Sequence, residues 1–338
     1  MKKLYKIRYL NIVLLVILTF CILSVVGFAQ EEKVVLKLGH HHNVGGLVDI
    51  LSHKFKELAG EKSNGLLQID IYPGAQLGQE KEACEGVLMG TLQITGVSPS
   101  FYSETADGFG IDVLPFLYST FEQANKIFNE SSVGKELDRR LLEKGGRILG
   151  WMAVGPRDML FVKKEVKTLE EFKGLKMRSP ESEIWIEMFR GLGARPTPIT
   201  WGECYTALQT GVVDGMESPP TGTIDMKFYE VTNYCLLTHH MFADMILVIN
   251  EKLFQELPED MQKVVIEAGK EAIDYANQLA IKYHEDAMDF LKEEGMKFNE
   301  LGEEELTKFK EAMIPMVDKW AKEHNATDLV EMIRELTK

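Results

Sequence analysis

The chain has little cysteine, four residues in 338, and little proline, eleven. With so few thiols and no spaced framework, a disulfide-built secreted fold is excluded. Positive charge is also short: 38 Lys and Arg stand against 52 Asp and Glu, a net of −14. Such a surface suits neither nucleic acid nor anionic lipid, so no nucleic-acid partner is expected. It gives no general attraction to an anion either, so any acid ligand must be held by local cations. Enzyme signatures are missing too. There is no Gly-x-Ser-x-Gly, no Cys-x-x-Cys and no phosphate-cradling glycine loop, and His284-Glu285 lacks the second histidine of a zinc-protease motif. No cofactor and no low-complexity linker are read from the chain.

Only one long apolar run is present, and it stands at the start. Lys2, Lys3, Lys6 and Arg8 precede an apolar stretch from Ile12 to Val26, followed by the small residues Gly27 and Ala29 around Phe28. This is the pattern of an export signal peptide, with cleavage expected after about Ala29 and a periplasmic destination. Phe20 is too bulky before Cys21 for lipoprotein processing. Removing residues 1–29 leaves 309 residues (338 − 29), enough for two domains, and takes away four basic side chains, so the net charge moves from −14 to −18. Cys84, Cys204 and Cys235 remain; buried thiols are the expected state, with one disulfide left open.

Strand and helix patterns alternate from there. Val34–Gly39 reads as a strand, then a helix from about Gly46 to Leu58, a strand Leu67–Tyr72, a helix Glu80–Met89 and a strand Leu92–Val97. That alternation argues for an α/β fold with a largely parallel sheet. Leu208–Asp214 before Ser218-Pro219 echoes Val87–Gln93 before Ser98-Pro99, each a helix with a glycine stop and then a short strand, which in the Leu208 segment is expected at Val212–Gly215. The echo supports two similar lobes. From Pro258 to Gly295 apolar residues recur with helical spacing; 38 residues at about 1.5 Å each would span roughly 57 Å. A helix of that length exceeds one 150-residue domain and should brace both lobes.

The densest information lies between Phe172 and Glu230. Leu175-Lys176-Met177 reads as a strand that delivers Arg178 at its end, before a helix with Ile184, Trp185, Met188, Phe189 and Leu192. Strand ends that precede helices are where open α/β sheets bind ligands, and an arginine there offers a planar fork to a carboxylate. Trp185 has the partners of a core residue. The segments Gly174–Ser182 and Tyr205–Glu230, and the mature chain with them, resemble the solute receptors of tripartite ATP-independent periplasmic (TRAP) transporters, the dicarboxylate-receptor-like family of extracellular solute-binding proteins.

That resemblance implies a two-lobed periplasmic-binding-protein fold with a long lobe-spanning helix. Lobe 1 is expected at 30–154 and 244–283, lobe 2 at 155–243 and 284–338. Arg178 matches the carboxylate-clamping arginine of the family, and Arg157 a second arginine often brought to the ligand. Trp201 stands where relatives commonly carry Phe and is expected as a cleft wall. Glu217-Ser218 replaces a usual Glu-Asn, which shortens the reach at that point. His41 and Ser98 stand where sialic-acid-type receptors place Asn and Glu, and His240 is a further polar candidate. His40-His41-His42 could suggest a metal, but no carboxylate or cysteine partner lies nearby at ligand spacing, so no metal site is expected.

The implied function is capture of an organic acid, a sugar acid such as a uronate or a C4-dicarboxylate, and its delivery to membrane-embedded TRAP permease subunits, without covalent chemistry. Two alternatives are an exported enzyme acting on sugar acids, for which only Glu217 offers a carboxylate, and a receptor serving a sensory system.

Overall fold

A computed structural model describes residues 33–338; the expected signal peptide lies outside them. Strand β1 (Val34–Gly39), helix α1 (Leu47–Lys62), β2 (Leu67–Tyr72), α2 (Glu80–Met89) and β3 (Ile94–Val97) follow in that order. Helix α2 is set by its own sequence. Gln79 and Glu82 form a capping box at its start, and Gly90 at φ 80° closes it in the left-handed conformation. Then come α3 (Phe121–Asn125), α4 (Ser132–Leu142), β4 (Gly146–Phe161), α5 (Leu169–Phe172), β5 (Lys176–Ser179), α6 (Glu183–Gly191) and β6 (Arg195–Pro198). The remainder is α7 (Cys204–Thr210), β7 (Gly215–Ser218), α8 (Pro220–Asp225), β8 (Tyr234–Asn250), α9 (Glu251–Glu256), α10 (Glu259–Glu293), β9 (Lys297–Glu300), α11 (Glu303–Glu323) and α12 (Thr327–Leu336).

The strands form one sheet in the order β2-β1-β3-β8-β4-β7-β5-β6, with β9 beside β8. It is mixed, which corrects the expectation of a largely parallel sheet. Pairs β1–β3, β5–β6, β5–β7 and β8–β9 are parallel, whereas β3–β8, β4–β8 and β4–β7 are antiparallel. The difference comes from β4 and β8, 16 and 17 residues long, which run side by side through the middle. Each takes in residues poorly suited to a strand: Gly155-Pro156 in β4, and His239-His240, beyond the strand-like Tyr234–Thr238, in β8. The strands absorb them by irregularity. Register shifts fall between Ile148 and Gly150, Ala153 and Gly155, and Arg157 and Met159, and His239 takes φ 41°. The expected lobe boundaries meet on this ladder, where Ala153 pairs with Asp244 and Gly155 with Ala243.

Strand β7 is also shifted from its expected place. Gly211 at φ 74° caps α7, and the following residues are spent in the turn, where Val212 is half exposed. Asp214 anchors that turn, accepting the Lys176 N–H through Oδ2 at 2.8 Å. The strand therefore starts at Gly215, and Glu217 and Ser218 lie inside it rather than after it.

Helix α10 is unbroken over 35 residues, about 52 Å at 1.5 Å per residue. It packs against α1, β4 and α8. Small residues make the close approach to β4 possible: a Cβ on Gly269 would sit 2.9 Å from Leu149, and one on Gly150 2.8 Å from Ile273. Asn277 tends the irregular β4 backbone, accepting the Ala153 N–H at 2.7 Å and donating to the Trp151 carbonyl at 3.1 Å. Trp151 itself stacks on Phe128 with centroids 4.5 Å apart. Cys84, Cys204 and Cys235 are buried and free. Among the described residues no helix is long and apolar enough to cross a membrane.

Candidate functional site

Arg178 sits on β5 with 3% of its surface exposed. Its guanidinium is fixed from two sides. Nε donates to the Ile199 carbonyl at 2.9 Å, and the guanidinium carbon lies 5.4 Å from the centre of the Trp201 ring. Nη1 is buried and has no hydrogen-bond partner. A guanidinium keeps its charge in a protein, so a buried donor on it without a partner needs an acceptor. Trp201 is held in turn, edge-on against Phe228 at 5.1 Å, and its Nε1 is likewise buried without a partner. The tryptophan therefore serves both as core and as wall.

Both residues line a partly open cavity of about 50 Å³. The wall includes Arg157, Ser98 and His41, so five of the eight residues singled out from the sequence meet there. Arg157 already has a partner. It is ion-paired with Glu217, whose side chain is fully buried, and its guanidinium carbon lies 4.9 Å from the Trp185 ring centre. Ser98 Oγ shares a hydrogen bond with Ser100 Oγ at 2.9 Å, and the Trp185 indole N–H donates to that same Ser100 oxygen at 3.1 Å.

The other three do not line the cavity, which corrects their expected placement. Glu217 lies behind Arg157 and neutralises it. Ser218 turns back on its own segment, donating to the Pro219 carbonyl at 3.0 Å. His240 is buried in β8, with Nδ1 at 2.7 Å from Thr238 Oγ1. The strand shift of β7 explains the first two: both are part of that strand instead of following it.

Residues outside those eight complete the wall. Trp185 lines it, with one side in the core as expected and its ring under Arg157. His42, Thr221, Glu80, Asp225 and Asp244 line it too. The histidines contribute polarity without charge: burial pushes His41 down to about 3 and His42 well below its ordinary value. His41 Nδ1, His42 Nε2 and Thr221 Oγ1 are all buried without partners. The acids are pushed the other way. Burial raises Glu80 to about 7 and Asp225 to about 6, and Asp244 well above its ordinary range. Glu80 accepts the Ser98 N–H at 2.6 Å, Asp225 the Tyr283 hydroxyl at 3.2 Å, and Asp244 the Tyr118 hydroxyl. One signal was available for Asp244, a lone acid inside the apolar run Met241–Ile249. Glu80 carried none, since an acid in the first turn of a helix is already explained by the helix dipole.

Chemically, the cavity sets one uncommitted guanidinium among neutral donors and flat apolar faces. That combination suits a small anion with a polar body. The model of the family described as bacterial extracellular solute-binding protein, family 7, matches residues 39–323. The chain belongs to this family. Among its relatives is the C4-dicarboxylate-binding periplasmic protein DctP of Rhodobacter capsulatus, 30% identical over 87% of this chain and 88% of that protein. Of similar solved structures, a TRAP periplasmic solute-binding protein from Sulfitobacter sp. NAS-14.1 with bound β-D-galacturonate has a TM-score of 0.85 at 26% identity, covering 89% of this chain and all of the other. The sugar-acid-binding protein DctPAm from Advenella mimigardefordensis, in complex with galactonate, has a TM-score of 0.86 at 26% identity, covering 90% and 98%. These relatives are binding proteins by name.

Proposed function

We propose that this family member is the exported solute receptor of a TRAP transporter. It holds an organic acid by its carboxylate on Arg178 and hands it to the membrane-embedded permease from the periplasm. The observation that carries the reading is the Arg178 guanidinium, buried, held by Ile199 and Trp201, and left with an unpartnered Nη1 in the wall of a cavity. Relatives named for C4-dicarboxylates and solved with sugar acids support an organic acid of either class.

Lobe 1 (30–154 and 244–283) and lobe 2 (155–243 and 284–338) would close on the ligand, with β4 and β8 carrying the bend at their irregular rungs. The eight residues Arg178, Arg157, Trp201, Ser98, His41, Glu217, Ser218 and His240 divide by role in this reading. The first five face the solute, and Glu217, Ser218 and His240 support them from behind. The similar proteins are named for binding, which favours a receptor over an exported enzyme.

A thermal-shift panel of uronates, aldonates and C4-dicarboxylates tests the reading. At 100 times its dissociation constant, a ligand that binds only the native state adds about 2.7 kcal/mol, so melting should rise by several degrees with at least one acid. The acid should be recovered unchanged after long incubation. No response to any organic acid would count against the receptor reading, and product that forms after repurification would favour the enzyme.

A further inference from the structure

Two segments that the lobe division assigns to different lobes meet beside the cavity. The turn 43–46 leads into α1 in lobe 1, and Asp225 ends α8 in lobe 2. Asn43 Nδ2 donates to the Asp225 carbonyl at 3.0 Å and lies 3.3 Å from Met226 Sδ. The Asp225 carboxylate is engaged from lobe 1 as well. Its Oδ1 accepts the Tyr283 hydroxyl of α10 at 3.2 Å, and the Leu47 N–H stabilises its charge. Asp225 and Leu47 line the cavity; Asn43 and Gly46 are outside its lining.

The start of α1 explains why an acid from another element fits there. Gly46 stands at the N-cap position, and no side chain there caps the helix. Asp49, the acid of its own first turn, is engaged by the Gly45 N–H at 2.9 Å and by His40. The first N–H groups of a helix have no partner within it and form its positive end, so a carboxylate brought to them is favoured. Asp225 comes this close only because Gly46 has no side chain: a Cβ there would sit 2.7 Å from Asp225 Oδ2. The Gly46 backbone, at φ −72° and ψ 167°, does not itself require glycine. The missing side chain therefore serves the approach of α8 rather than the turn.

We propose that Asp225 and Asn43 latch the two lobes together over the bound solute, with Asp225 a positioning residue that caps α1 across the cleft only when the cleft is shut. The proposal deepens the receptor reading and rests on it, since closure needs a solute to close on. In the open receptor the Asp225 carboxylate and the start of α1 are both returned to water, so their contact adds little to the unliganded protein. The latch lengthens the stay of the solute and does not draw it in.

Stopped-flow binding of D-galacturonate, D-galactonate and succinate to the purified protein tests it, using for the variants the acid that wild type binds best. Asn43→Ala and Gly46→Ala are the deciding variants, because neither residue lines the cavity. Gly46→Ala should speed release by about 5- to 100-fold, the range for forcing an extra carbon into a packed contact. Asn43→Ala should speed it by about 2- to 10-fold, the size of one lost hydrogen bond. Association rates of both should match wild type, and the rise in melting that the acid produces should shrink. Asp225→Ala should speed release by about 2- to 30-fold, as for loss of a helix cap, and Asp225→Asn, which keeps an acceptor, should restore most of it. A merely structural contact would lower melting with and without the acid alike and leave release unchanged. Unchanged release from a folded Asn43→Ala or Gly46→Ala protein overturns the latch and leaves the receptor reading standing. Failure of wild type to bind any of the three acids overturns the receptor reading, and the latch with it.

Discussion

Arg178→Ala is expected to lower affinity for the cognate acid by about 30-fold to several-thousand-fold. Truncating one member of a desolvated, hydrogen-bonded charge pair costs roughly 2–5 kcal/mol, and each 1.4 kcal/mol is tenfold. The geometry supports the upper part of that range, because the guanidinium is buried and its spare donor has no protein partner to fall back on. Arg178→Lys should restore only part of the loss. A lysine keeps the charge but loses both the Nε bond to Ile199 and the planar face against Trp201. Titration calorimetry on the two variants reads the effect directly. Wild-type affinity in a folded Arg178→Ala protein would show that the carboxylate is anchored elsewhere.

The second large effect concerns stability rather than binding. Arg157→Ala leaves Glu217 with no countercharge, and the Glu217 side chain is fully buried. Breaking a buried ion pair from one side costs about 3–5 kcal/mol, whereas replacing both partners by neutral groups is often close to neutral. Arg157→Ala should therefore unfold at markedly lower denaturant, and Arg157→Met combined with Glu217→Gln should regain most of the difference. Its effect on affinity should stay well below that of Arg178→Ala. An Arg157→Ala protein that is as stable as wild type, but binds the acid a hundredfold more weakly, would exchange the roles of the two arginines.

The short elements were legible because their signals are local. Strand β2 and helix α2 have the bounds the pattern gives, Leu67–Tyr72 and Glu80–Met89, since turn residues and caps fix their ends. The long helix was legible through its repeat: of the apolar positions expected to face inward, Met261, Val265, Ala268, Ala272, Ala276, Ala287 and Leu291 are buried. The two central strands were legible only in part: Tyr234–Thr238 is strand-like, but the passage of β8 through His239-His240 and of β4 through Gly155-Pro156 depends on pairing between residues far apart in sequence. The same limit applied to the site. Arg178 stood out at a strand end, but which arginine stays free depends on Glu217, sixty positions beyond Arg157 in sequence, joining it across neighbouring strands. Glu80 reaches the cavity wall through its contact with Ser98, which no spacing in the sequence announces.

A crystal structure of the protein with the acid that gives the largest melting shift tests the central claim most directly. The expected result is a carboxylate oxygen within about 3 Å of Arg178 Nη1, the usual length of a charge-assisted hydrogen bond, with the body of the acid against Trp201. An acid whose carboxylate sits elsewhere, with Nη1 of Arg178 still unpartnered, would contradict it.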